Sequence, residues 1–289
     1  MNNLSQDTDA VLPVGSGPVG PPKTALVLCG GGSRGAAEVG FYQALSEYGI
    51  SVDMIVGTSV GAVNGAFMAA GLAPEDLKRL WREFKHWRPY QVNWEILWKW
   101  RKAKSLLDPR GFQRFLEDNL PVKKFEDLNI PLTVVATDLQ TAEPVYFEKG
   151  DLVFAVMAST AMPLYFPPLR CNGHQIVDGG VTNNVPIDVA VAKGATKVYA
   201  MLCGCQEELE RPVHGLFNIE SRAFNIAMLQ KLHRDLQGLR DRAELVILEP
   251  CLTSAKNVLD FSQTGKIIEE GYFYALSLLS RETGTRNCC

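Results

Sequence analysis

The sequence predicts an α/β fold, with a mainly parallel central sheet and helices on both of its faces. Two observations point there. Short, wholly apolar runs alternate with segments of helical periodicity, the pattern of strands buried on both sides. The chain also has 289 residues, 46% hydrophobic and 21% charged, enough for one sizeable core. No internal repeat or linker follows residue 23. A single domain over 23–283 is therefore expected, after a flexible Gly/Pro-rich leader at 1–22 and before a short tail at 284–289.

Taken in order, TALVLC opens the domain as an apolar strand from Thr24. AAEVGFYQALSEYG follows as a helix, with Val39, Ala44, Leu45 and Tyr48 at helical spacing and Gly49 as its stop. SVDMIVGTS reads as a second strand running into a turn, and VGAVNGAFMAAG as a small-residue helix ending at Gly71. PEDLKRLWREF has Pro at the first helical position and acids in the first turn. Further buried strands are expected at PLTVVATDL (131–139), ATKVYAML (195–202) and AELVILEP (243–250). Helices are expected over 108–120, 186–194, 218–240 and 262–280.

Three motifs concern chemistry. CGGGSRG (Cys29 to Gly35) places a glycine-rich turn between a strand and a helix, where backbone N–H groups can face a negative charge. GTSVG (Gly57 to Gly61) fits G-x-S-x-G, the nucleophile elbow, and lies between an apolar strand and a small-residue helix as an elbow requires. An ordinary turn with Ser59 as N-cap has the same outline. DGG (Asp178 to Gly180) puts a carboxylate at a strand end, although a solvated Asp-Gly turn is also common. A serine needs a base. Among His86, His174, His214 and His233, only His174 stands near a motif, and Asp178 in the same segment is the competing base. Gly30, Gly32 and Gly35 also satisfy G-x-G-x-x-G, with Asp53 18 residues beyond Gly35, the outline of an NAD(P)-binding turn. Against that outline, Asp53 begins the second strand instead of ending it, and GTSVG and DGG are left unexplained.

Together these motifs, with ASTAMPLYFPP (Ala158 to Pro168) ahead of DGG, resemble the patatin-like phospholipase family over most of Thr24 to Val185. The resemblance implies a three-layer sandwich related to the α/β-hydrolases and a Ser-Asp dyad without histidine. Ser59 would be the nucleophile and Asp178 the general base. Gly30, Gly31 and Gly32 would supply oxyanion donors in a loop completed by Arg34 and Gly35. Gly57, Gly61, Gly179 and Gly180 would serve the two turns. It implies phospholipid or lysophospholipid esters as substrates and no cofactor or metal. A non-catalytic lipid-binding relative is disfavoured because all three motifs are intact.

Other features bound the partners and location. A net charge of −3 gives no support for nucleic-acid binding. The first residues lack a secretory signal pattern, and no apolar run reaches the roughly 18 residues of a membrane span. Seven cysteines without a framework read as reduced thiols in the cytoplasm, and Cys203 and Cys205 are too close for the usual zinc spacing. All five tryptophans lie between Trp81 and Trp100, within a stretch (78–104) holding nine Lys or Arg and two acids. Such a stretch suits a cap or a peripheral membrane-docking surface, or a helical segment whose tryptophans pack on the core. Cys288 and Cys289 offer thiols for lipidation, but Arg286 occupies the position where C-a-a-X needs cysteine.

Overall fold

The computed structural model of the chain describes residues 21, 23–84, 91–92, 105–204, 212–255 and 258–284. Its strands are β1 (Thr24–Leu28), β2 (Met54–Thr58), β3 (Gln91–Val92), β4 (Leu107–Asp108), β5 (Leu132–Asp138), β6 (Pro144–Phe147), β7 (Leu169–Cys171), β8 (His174–Asp178), β9 (Lys197–Met201) and β10 (Glu244–Leu248). The helices are α1 (Ala36–Glu47), α2 (Val60–Ala69), α3 (Pro74–Phe84), α4 (Arg110–Asn119), α5 (Leu152–Ser159), α6 (Gly180–Asn183), α7 (Ile187–Ala192), α8 (Leu216–Leu239) and α9 (Thr264–Gly284). An eight-stranded sheet runs in the order β10-β9-β1-β2-β5-β8-β7, with β6 also on β5, while β3 and β4 form a separate ribbon.

Successive side chains of a strand face opposite ways, which divides the interior into two cores. Leu26, Leu28 and Ile55 face α1, α2, α3, α5 and α9. Ala25, Val27 and Val56 face α7 and the Leu232 and Leu239 side of α8. The result is the expected three-layer sandwich. Gly49 at φ 65 and Gly71 at φ 90 end α1 and α2, backbone that only glycine adopts without strain.

One half of the sheet departs from a simple alternating pattern. β10, β9, β1, β2 and β5 are parallel, but β6 and β8 both pair antiparallel with β5, and β7 is antiparallel to β8. β2 lies along the first part of β5, with Thr58 opposite Val135. β8 continues along that same edge from the other direction, with Asp178 opposite Ala136. β6 occupies the other edge. The tips of β2 and β8 therefore meet head to head.

One sequence expectation changes here. Cys29, Cys171 and Cys203 are free thiols, but Cys251 is disulfide-bonded, so the cysteines are not all reduced. An odd count and irregular spacing exclude only complete pairing, because a disulfide depends on proximity in space. Of the alternatives for the Trp/Lys/Arg-rich stretch, Trp81 takes the core-packed one: it is 7% exposed and packs beside Phe84 and Phe261. Its ring follows the apolar face of α3, with Leu77, Leu80 and Phe84. On the outer face Lys78 pairs with Glu75 and Arg79 with Asp76. Residues 85–90 and 93–104 of the Trp/Lys/Arg-rich stretch lie outside the described residues, as do the leader at 1–20 and the Cys288/Cys289 tail. Among the described residues, no helix is long and apolar enough to cross a membrane.

Candidate active site

Ser59 stands between β2 and α2 at φ 54, ψ −123, a region L-residues rarely occupy. The turn is possible because its neighbours lack side chains. A Cβ on Gly57 would lie 2.5 Å from the Gly61 carbonyl oxygen, and one on Gly61 would lie 2.3 Å from the Leu28 carbonyl oxygen. The Ser59 N–H donates to Ser159 Oγ at 2.7 Å, and Ser159 Oγ donates to the Val135 carbonyl at 2.6 Å. Ser159 thus ties the elbow to β5 from the end of α5.

Asp178 ends β8 beside Ser59 and is 4% exposed. Burial raises its pKa to about 6, although the Ser59 hydroxyl and the Gly180 N–H favour the carboxylate. The Gly180 N–H donates to Asp178 Oδ1 at 2.8 Å. Gly179 is required by the crossing of the two chains, since a Cβ there would lie 2.2 Å from the Val135 carbonyl oxygen. His174 is at the other end of β8, about 13 Å away at 3.3 Å per residue. Its Nδ1 lies 2.6 Å from Asp138 Oδ2, and it does not line the cavity described below. The strand brings Asp178 to Ser59 and carries His174 away.

The glycine loop forms the third wall. Gly32 has φ 59, and a Cβ there would lie 2.2 Å from the Val258 carbonyl oxygen. The adjacent Ser33 N–H donates to that same oxygen at 2.7 Å. Arg34 Nη1 donates to the Cys203 carbonyl at 3.2 Å, fastening the loop to the end of β9. Gly35 packs against Val60 at the start of α2.

Sequence reasoning missed Asn184. Its side chain accepts from the Gly30 N–H at 3.1 Å and donates to the Gly30 carbonyl at 3.2 Å. The Gly30 N–H is therefore engaged, whereas those of Gly31 and Gly32 have no hydrogen-bond partner among the described residues. The available signal was the polar pair Asn183-Asn184, separated from the glycine motif by two residues and just ahead of the apolar run from Val185.

These groups open on a cavity of about 130 Å³. Ser59, Asp178, Asn184 and the glycine loop line one part of it. Phe67, Leu77, Leu80, Trp81, Phe84 and Phe115 line the apolar part. Asp53, the acid of the dinucleotide outline, is at the start of β2, where Oδ2 accepts from the Thr24 N–H at 2.7 Å. Ser59 occupies the loop end of that strand instead.

The family model for patatin-like phospholipase matches residues 26–191. This chain belongs to the patatin-like phospholipase family. It is 31% identical over 271 residues to rat patatin-like phospholipase domain-containing protein 7, covering 86% of this chain and 20% of that protein. It is 32% identical over 195 residues to neuropathy target esterase sws of Drosophila melanogaster, covering 66% of this chain and 13% of that protein. The chain thus spans about a fifth or less of the length of these relatives. Among solved structures, VipD from Legionella pneumophila has a TM-score of 0.52 at 17% identity, covering 90% of this chain and 67% of that one. Human GIVD cytosolic phospholipase A2, solved with a fluorophosphonate inhibitor, has a TM-score of 0.52 at 12% identity, covering 92% and 59%. These two likenesses agree with the three-layer patatin-like fold.

Proposed function

We propose that this patatin-like chain is a serine-dependent lipid acyl hydrolase of phospholipase A or lysophospholipase type. The observation that supports it most is the meeting of Ser59, at a strained φ, with the buried Asp178 at the polar part of an aromatic-lined cavity. Asp178 takes the hydroxyl proton as Ser59 Oγ attacks the ester carbonyl carbon. The tetrahedral oxyanion is held by the N–H groups of Gly31 and Gly32, with Gly30 kept in place by Asn184. Collapse expels the alcohol, which receives the proton from Asp178, and leaves an acyl-serine. Water then attacks the acyl carbon while Asp178 again takes a proton, and Ser59 is released as the alcohol with a free fatty acid.

The apolar part of the cavity accommodates an acyl chain, and the substrate is a phospholipid or lysophospholipid met at a membrane surface. The dyad itself calls for no cofactor. A fluorophosphonate probe should label the wild type at Ser59 and leave Ser59→Ala unlabelled. Mass spectrometry of products from a mixed lipid extract, with Ser59→Ala as control, then identifies the ester cleaved. Wild-type turnover by Ser59→Ala would overturn the mechanism. A wild type that binds lipid vesicles but neither reacts with the probe nor releases fatty acid would be a non-catalytic relative.

A further inference from the structure

Behind the glycine loop, three side chains with metal-binding donors converge from distant parts of the chain. Cys29 follows β1, Glu38 is in the first turn of α1, and Cys203 follows β9. One donor atom from each is buried, and the three atoms lie within 4.8 Å of one another. Cys203 Sγ is 3.9 Å from Glu38 Oε1. None of the three lines the cavity, and the hydrolytic steps use none of them.

We infer that Cys29, Glu38 and Cys203 form a binding site for one thiophilic divalent cation, of which Zn²⁺ is the best match. The donor spacing fits. With bonds of roughly 2.3 Å to sulfur and 2.1 Å to oxygen, a tetrahedral ion holds its donors about 3.6–3.8 Å apart. A contraction of at most about 1.2 Å closes the cage. The donor set fits as well, since two thiolates favour Zn²⁺ over Ca²⁺ or Mg²⁺, which want oxygen ligands.

The surroundings supply what a ligating carboxylate needs outside its metal bond. Glu38 Oε2 accepts from Asn64 Nδ2 at 2.7 Å, and Asn64 Oδ1 accepts from Trp81 Nε1 at 2.9 Å. One carboxylate oxygen is thus held by a fixed amide, and Oε1 is the oxygen toward the Cys203 thiol. Two thiolates and a carboxylate around a dication leave one negative charge. The Arg34 guanidinium, on the Cys203 carbonyl at 3.2 Å, is placed to offset it. A water completes the fourth corner.

The site shares a wall with the catalytic loop, because a Cβ on Gly31 would lie 2.4 Å from Cys203 Cβ. A bound ion would join the ends of β1 and β9 to α1 directly behind Gly31. The role is a structural brace, independent of which ester the enzyme cleaves.

Elemental analysis of the freshly purified full chain should find about one Zn²⁺ per chain. After removal of the ion, added Co²⁺ should give a thiolate-to-cobalt charge-transfer band. The double variant Cys29→Ser/Cys203→Ser should lose both signals while circular dichroism shows it folded. Asn64→Ala, which keeps all three ligands, should weaken Zn²⁺ binding about 10–100-fold. A folded wild type that carries no Zn²⁺ and gives no thiolate band with Co²⁺ would overturn the site, without needing any variant. Unchanged Zn²⁺ and Co²⁺ signals in the double variant would equally overturn it.

Discussion

The two strand tips that meet at the cavity differ in how they hold Ser59 and Asp178, the proposed catalytic pair. β2 ends in a turn whose cost is steric, with Ser59 forced to φ 54 between glycines that leave no room for a Cβ. β8 ends in relaxed backbone, and its cost is electrostatic, with Asp178 buried and its pKa raised to about 6. Strained backbone costs on the order of 1–3 kcal/mol at any pH. The burial of a carboxylate costs only where it is ionised. Each tip of the proposed dyad therefore gives up stability, and the two costs can be separated experimentally.

The largest expected effect is on turnover. Ser59→Ala and Ser59→Gly should each lower ester hydrolysis by about 10⁴-fold or more, since the acyl-enzyme cannot form. Asp178→Asn should lower kcat by about 10²–10⁴-fold, the range for loss of a general base. In the wild type, kcat/KM should rise with pH through about 6, because Asp178 must be ionised to accept the proton. A pH–rate profile that is flat across that region would remove Asp178 as the base.

Stability separates the two tips next. The folded pKa of Asp178, about 6, lies above its ordinary value of 3.8. Its favourable contribution is therefore complete below about pH 4 and is lost as pH rises through about 6. At pH 7 the ionised group costs roughly 3 kcal/mol relative to an unshifted one. Asp178→Asn should match or exceed the wild-type Tm, with an advantage that grows from pH 4 to 7. Ser59→Gly should gain about 1 kcal/mol by relief of strain at pH 4, and less at pH 7, where Asp178 is ionised and loses the hydroxyl that favours its carboxylate. Chemical denaturation at the two pH values tests both; a pH-independent gain for Asp178→Asn would mean that burial of its charge is not the cost.

Smaller effects are expected from residues that position the tips. Asn184→Ala should lower kcat about tenfold with little change in KM, because Gly30 loses both hydrogen bonds to that side chain while the cavity keeps its apolar walls. Conversion by Asn184→Asp would restore only the acceptor side of that clamp. Ser159→Ala removes the acceptor for the Ser59 N–H and the donor to Val135. It should cost about 1–3 kcal/mol of stability by denaturant titration and less than tenfold in kcat.

Legibility in the sequence followed locality. The strands at 24–28, 54–58, 132–138, 197–201 and 244–248 are short apolar runs, and the stops at Gly49 and Gly71 are single-residue requirements. GGGSRG, GTSVG and DGG are likewise local, because a tight strand-to-helix turn must be written with small residues at fixed positions. β6, β7 and α5 were not legible: their residues give no distinct period, and they are placed by pairing with β5 and β8 or by packing over the sheet. For the Trp-rich stretch, composition left open whether the tryptophans meet lipid or protein, and at Trp81 the ring meets protein.

What the sequence by itself determined is the set of backbone turns and the family to which they belong, since both depend on residues close in the chain. Only the tertiary structure decided that β2 and β8 abut along one edge of β5, which puts Asp178 at Ser59 and removes His174. It also decided that Asn184 occupies the Gly30 N–H, and that Cys29 and Cys203 share one buried cluster with Glu38. Each of these joins residues far apart in the chain, and such contacts are set by how layers pack rather than by any local pattern.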